Sequence, residues 1–268
     1  MCRHGGVQGR SEVWVGEQSG KTQDRGEVVP ATDCVVACAS VAPKGNKKYV
    51  ALTFDEGPSG ATKQILQVLK EKGVTATFFL SGDAAEASPA AAKAIVDAGC
   101  EIGSNSYSDD SLKGQDREAV REQITKGTDA IKSATGVKTM LLRAPYAAFD
   151  EQDWIDAMDL VSAVVSWNID SGDWLLNGAD EQVSTVLDSV TPGNIVLLTD
   201  RDECAGQTLE ALPQIIDGLI ADGYKIVTLS DLVKTDTSLS KKLTSLTKAT
   251  MPKDAVFPQL AEDDDTTE

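Results

Sequence analysis

Short apolar runs and amphipathic stretches take turns along the middle of the chain. Apolar, β-branched and aromatic residues concentrate in 49–54, 75–80, 100–103, 139–143, 162–169, 194–198 and 225–229, lengths suited to strands. Between them, 61–72, 89–98, 116–135, 152–159, 180–190 and 207–222 carry the spacing of helices, in which apolar residues return every three or four positions. Ile65, Leu66, Val68 and Leu69 share one helical face, as do Val120, Ile124 and Ile131. Gly73, Gly99, Gly136 and Gly223 stand where four of these helices should stop.

Strands that alternate with helices predict a parallel sheet, and about seven such units predict an α/β fold of the distorted (β/α) barrel type. An open, doubly wound sheet is the alternative. The alternation fails at both ends. Residues 1–47 are polar, Gly-rich and aperiodic apart from an apolar patch at 34–41, and are assigned as a tail or leader. The domain spans 48–233, and 234–268 form a polar extension with the anchors Met251, Val256 and Phe257 and an acidic end.

Composition narrows the possible partners. The chain has 268 residues, 41% of them hydrophobic, enough to bury one barrel-sized core. Its 42 Asp and Glu outnumber 25 Lys and Arg, and a net charge of -17 excludes the basic surface that nucleic acid requires. Five cysteines make no disulfide framework: Cys2, Cys34 and Cys38 lie in the tail, Cys100 and Cys204 in the domain. The single histidine, His4, leaves no His-Cys zinc signature to assemble. No transmembrane segment is predicted, and the start lacks the basic stretch and apolar run of a signal peptide.

The chemistry gathers where the predicted strands end. The first runs into Asp55-Glu56-Gly57-Pro58, the third into Ser104-Asn105-Ser106-Tyr107-Ser108-Asp109, and the fourth into Arg143-Ala144-Pro145-Tyr146. The fifth runs into Asp170-Ser171-Gly172-Asp173-Trp174 and the sixth, through Leu198, into Thr199-Asp200. In a parallel barrel these ends share one rim, where active-site groups collect.

In this order the motifs resemble those of the NodB-homology domain of polysaccharide deacetylases, carbohydrate esterase family 4, over roughly residues 48–233. The family's patterns are Thr-Phe-Asp-Asp-Gly-Pro, a segment with two histidines, Arg-Pro-Pro-Tyr, Asp-x-x-Asp-Trp and a final Leu-His-Asp. The resemblance implies a hydrolase of N-acetyl groups on peptidoglycan or chitin-type sugars, or of O-acetyl groups on xylan, with a divalent metal that polarises the acyl oxygen and holds the attacking water. It implies Asp55 as the base and Arg143 as the group orienting it, with Asp170 and Asp173 in the motif that supports the catalytic histidine. Tyr146 matches the residue whose main-chain N–H holds the oxyanion, and Trp174 and Leu198 match the apolar wall around the acetyl methyl.

The metal set departs from the pattern. Glu56 stands at the metal Asp, Asn105 and Asp109 stand at the two metal His positions, and Thr199 stands at the general-acid His. A threonine hydroxyl has no useful acidity near neutral pH, and losing such an acid costs about two to four orders of magnitude in rate. The leading expectation is therefore a catalytically impaired, carbohydrate-binding pseudoenzyme of carbohydrate metabolism that binds an N-acetylated glycan without a cofactor; Asp55 and Arg143 would then form a structural pair. One alternative is an active deacetylase in which Glu56, Asn105 and Asp109, with Asp110, offer oxygen ligands to Ca²⁺ or Mg²⁺ rather than zinc. The other is an acidic interaction or scaffold protein that uses the barrel surface or the tails. The resemblance also implies residence outside the cell or in its envelope.

Overall fold

A computed structural model describes Val13, Trp14, Pro43 and residues 47–149, 151–157 and 159–236. The expectations for His4, for Cys2, Cys34 and Cys38, and for the anchors Met251, Val256 and Phe257 lie outside the described residues.

The elements are β1 (Val13–Trp14), β2 (Tyr49–Asp55), α1 (Thr62–Lys72), β3 (Thr77–Leu80), α2 (Gly82–Ala87), α3 (Pro89–Asp97), β4 (Glu101–Ser104), α4 (Arg117–Thr135), β5 (Leu141–Leu142), α5 (Glu151–Ala157), β6 (Ala163–Val165), β7 (Ile169–Asp170), α6 (Ala179–Ser189), β8 (Ile195–Thr199), α7 (Ala205–Ala221), β9 (Lys225–Ile226) and α8 (Leu229–Thr235). Seven strands run parallel in the order β6-β5-β4-β3-β2-β8-β7. β9 pairs with Tyr49 and Val50, ahead of the stretch of β2 that meets β3. β1 lies antiparallel to β6, so two residues of the predicted leader belong to the sheet.

The strand expected over 162–169 breaks in two. The halves β6 and β7 lie at opposite ends of the seven-strand row. Laid flat, six strand spacings would separate them by roughly 29 Å. Four residue steps from Val165 to Ile169 reach at most about 15 Å, so the sheet has to curl until its ends nearly meet. The break has a physical cause: the carbonyls of Val165 and Ser166 accept hydrogen bonds from the Arg143 guanidinium (3.1 and 3.3 Å) instead of continuing a ladder. Beyond them, Asn168 pairs through its main chain and its side-chain oxygen with Ile195.

The two faces of β2 follow the period of two. Val50, Leu52 and Phe54 face outward and pack with Ile65 and Leu69 of α1 and with Leu212, Ile216 and Leu219 of α7. Each such buried side chain contributes about 1.5–3 kcal/mol of burial free energy. Ala51, Thr53 and Asp55 therefore face the inside of the curl, where Ala51 packs with Phe79, Val165, Ile195 and α8's Leu229, Leu232 and Val233. Helix α8 stops the end opposite the rim: Leu229 donates its N–H to the Thr77 hydroxyl, and Ser230 binds Glu101, the first residue of β4. Among the described residues no helix is long and apolar enough to cross a membrane.

Candidate active site

Parallel register brings the C-terminal ends of the strands to one rim, with Asp55 opposite Thr199 on one side and Phe79 on the other. The described non-glycine residues with left-handed backbone all lie in segments that follow strands: Glu56 after β2, Ser106 after β4, Tyr146 and Ala147 after β5, and Leu176 after β7. Strain of this kind is tolerated where the surroundings enforce it, and it marks this rim.

Asp55 and Arg143 meet beneath the rim. Arg143 is fully buried; its Nη1 stands 2.6 Å from Asp55 Oδ1 and donates to the Thr53 hydroxyl at 2.7 Å. The guanidinium lies 4.1 Å above the Phe79 ring, and with the two carbonyls of Val165 and Ser166 its hydrogen-bonding fork is well supplied. Burial lifts the Asp55 carboxyl to about 6 against the pull of Arg143, with Asp173 and Asp170 adding to the rise. At neutral pH it is still ionised, which suits both a base and an ion-pair partner.

Thr199 is turned inward. Its hydroxyl donates to Asp173 Oδ1 (2.9 Å) and its N–H to Oδ2 (2.8 Å), while Thr208 donates its hydroxyl to the same Oδ2 at 2.9 Å. Asp173 is thereby a buried carboxylate held by three donors; burial raises its pKa and those donors oppose the rise. Asp170 does something else, accepting the Trp174 indole N–H at 3.2 Å and the Gly172 N–H at 2.9 Å. Trp174, Leu175 and Leu176 are about half exposed and form an apolar ledge. Leu198, by contrast, is fully buried among the outward-facing core residues, so none of it reaches the ledge.

The other rim residues gather around Arg201, which the sequence motifs did not include. Arg201 Nη1 stands 2.7 Å from Glu56 and 3.9 Å from Asp109, and its Nε stands 3.5 Å from Glu203. The Tyr146 hydroxyl donates to Asp109 Oδ2 at 2.8 Å. That bond pushes the phenol up to about 12, and burial together with Asp109 pushes Glu56 up to about 7 against the pull of Arg201. Asn105 is buried and donates its Nδ2 to the Arg143 carbonyl at 2.8 Å. Asp110 accepts from the Ser108 hydroxyl. Asp200, also buried, fixes the turn after Asp55 by accepting the hydroxyls of Ser59 and Thr62, both at 2.7 Å. A Cβ on Gly57 would come within 2.3 Å of that carboxylate, so glycine is required there for space.

Comparison with known proteins now decides the family. The polysaccharide deacetylase family matches residues 42–160. A peptidoglycan-N-acetylglucosamine deacetylase of Bacillus cereus is 33% identical over 218 residues, covering 80% of this chain and 79% of that protein. The chain belongs to the polysaccharide deacetylase family. A bifunctional xylanase/deacetylase of Pseudobutyrivibrio xylanivorans is 37% identical over 70% of this chain, which spans only 31% of that longer protein. Among solved structures, a CE4-family pseudoenzyme of Bacillus anthracis superposes with a TM-score of 0.66 at 31% identity, covering 74% of this chain and 71% of that one. A mutant of that neighbour is described as having restored enzymatic activity.

Polysaccharide deacetylases are generally metal-dependent. The donor set here does not fit a metal ion. Asn105 directs its amide nitrogen to a main-chain carbonyl, Glu56 and Asp109 share a guanidinium, and among the described residues no three His, Cys, Asp or Glu side chains are placed to hold an ion. Sequence reading missed Arg201, Thr208 and Asp200 as site residues. Asp200 could have been found from the family's last motif, whereas nothing in the spacing of Arg201 or Thr208 announces where they reach.

Proposed function

We propose that this chain is a glycan-binding polysaccharide deacetylase homologue in which acetyl hydrolysis is disabled. The observation that carries the proposal is the Thr199 hydroxyl, donated to Asp173 at 2.9 Å in the place where the family keeps its proton-donating histidine. The Thr199 hydroxyl has no useful acidity near neutral pH and so cannot give a leaving amine its proton as a histidine would. The ledge of Trp174, Leu175 and Leu176 beside Asp170 offers an apolar face and polar groups for a sugar ring, and the relatives' names point to N-acetylglucosamine polymers, as in peptidoglycan. Such a ligand would place the protein at the cell envelope or outside the cell.

Titration with chito-oligosaccharides by calorimetry, alongside an assay of acetate release, tests this. Saturable binding that Trp174→Ala weakens, with no acetate above the uncatalysed rate, is the expected result. Acetate release that requires Asp55 would sink the proposal.

A second reading, an active deacetylase with an altered site, is favoured by one observation: Asp55, at about 6 and oriented by Arg143, keeps the properties of a general base. It would need oxygen ligands from Glu56, Asn105 and Asp109; Glu56 is already paired with Arg201 and Asp109 with the Tyr146 hydroxyl, and Asn105 turns its amide nitrogen to the Arg143 carbonyl.

A further inference from the structure

We propose that Arg201 is the built-in cation of this rim, occupying the space between Glu56 and Asp109 and so excluding a divalent ion from it. A single nitrogen, Nη1, faces both carboxylates at 2.7 and 3.9 Å. A divalent ion drawn to these two carboxylates would have to enter the space between them, where this nitrogen already stands. The remaining contacts hold the guanidinium and its partners in place. Glu203 takes Nε at 3.5 Å, and Tyr146 donates to the Asp109 oxygen that faces Nη1.

The chain folds Arg201 into this position for local reasons. Asp200 is anchored below by Ser59, Thr62 and the main chain of Asp55. Arg201 is the next residue, so its side chain leaves the floor of the rim beside Glu56, which follows Asp55 on the neighbouring strand end. Like charges on Glu56 and Asp109 would otherwise repel at this rim, and one guanidinium relieves that repulsion without any bound ligand.

This inference deepens the reading of the site as non-hydrolysing. Its test reads cation uptake rather than acetate release or glycan binding, so either can fail without the other. Full-length protein, stripped with chelator, is titrated calorimetrically with Zn²⁺, Co²⁺, Ca²⁺ and Mg²⁺, and the same samples are melted with and without each ion. The unaltered chain is expected to show no one-to-one uptake below about 1 mM, the weak end of oxygen-ligand sites. Arg201→Ala is expected to take up at least one of the ions with at least about tenfold higher affinity, and to gain melting temperature from it. Arg201→Lys, which keeps the charge, is expected to exclude ions as the unaltered chain does. Arg201→Ala with Glu56→Gln is expected to lose the uptake again. Stoichiometric binding by the unaltered chain that Glu56→Gln abolishes would overturn the proposal. So would a folded Arg201→Ala variant, verified by circular dichroism, that binds no ion at all.

Discussion

Arg143 Nη1 stands 2.6 Å from Asp55 and 2.7 Å from the Thr53 hydroxyl, with the arginine fully buried and the aspartate only 7% exposed. Removing one partner of such a pair strands the other as an uncompensated buried charge. Arg143→Met is therefore expected to cost about 3–5 kcal/mol in urea unfolding. Asp55→Asn, which keeps an acceptor oxygen for the guanidinium, should cost less. Equal and small losses for both would mean that the pair does not hold the fold.

Glu56 ties the stability of the fold to pH. Its folded-state value of about 7 lies above the ordinary 4.5, so between these limits the folded chain holds more of the proton than the unfolded chain. Stability contributed by this group is present at low pH, falls as pH rises through the window, and is level above it. Glu56→Gln cannot titrate and lacks this component. The variant should gain on the unaltered chain as urea midpoints are taken from pH 5 to pH 8, and a difference that stays constant across that range would contradict the assignment.

Asp173 depends on donors from Thr199 and Thr208. Thr208→Val keeps the shape and deletes one donor to a buried carboxylate. The expected cost is about 1–3 kcal/mol in chemical denaturation, growing as pH rises because the ionised form is the one left short of partners. A loss that does not change as pH rises from well below the ordinary carboxylate range to neutrality would count against this account.

Trp174 is half exposed and its indole is held by Asp170. Trp174→Ala should leave the melting temperature nearly unchanged while weakening chito-oligosaccharide binding by about 1 kcal/mol, roughly fivefold. Calorimetry on variant and unaltered chain reads this directly, and undiminished affinity would move the glycan off the ledge.

Much of the fold was legible because burial on both faces leaves a plain signal. Val50 to Phe54 reads as a covered strand, and the parallel α/β alternation follows from repeats of that pattern. Two helices escaped. In α2, Gly82-Asp83-Ala84-Ala85-Glu86-Ala87 has no large apolar residue to set a period, and α8 was partly absorbed into the strand before it. The break at 166–168 escaped as well, because it is enforced by Arg143, which is distant in sequence. The candidate site was legible as far as motifs reach: Asp55 and Arg143 were placed by residue type and order. Arg201 was not, since its role depends on the meeting of two loops far apart in the chain, after β2 and after β4.

Arg143 ties the point where the chain leaves β6 to Thr53 and Asp55 in the middle of the sheet. Both residues therefore carry a structural task that stands apart from any chemistry at the rim. A sequence that keeps this acid–arginine pair keeps the tie across the curled sheet, whether or not it turns substrate over. Position 199 makes no such tie across the sheet, because its hydroxyl and its N–H both end on Asp173.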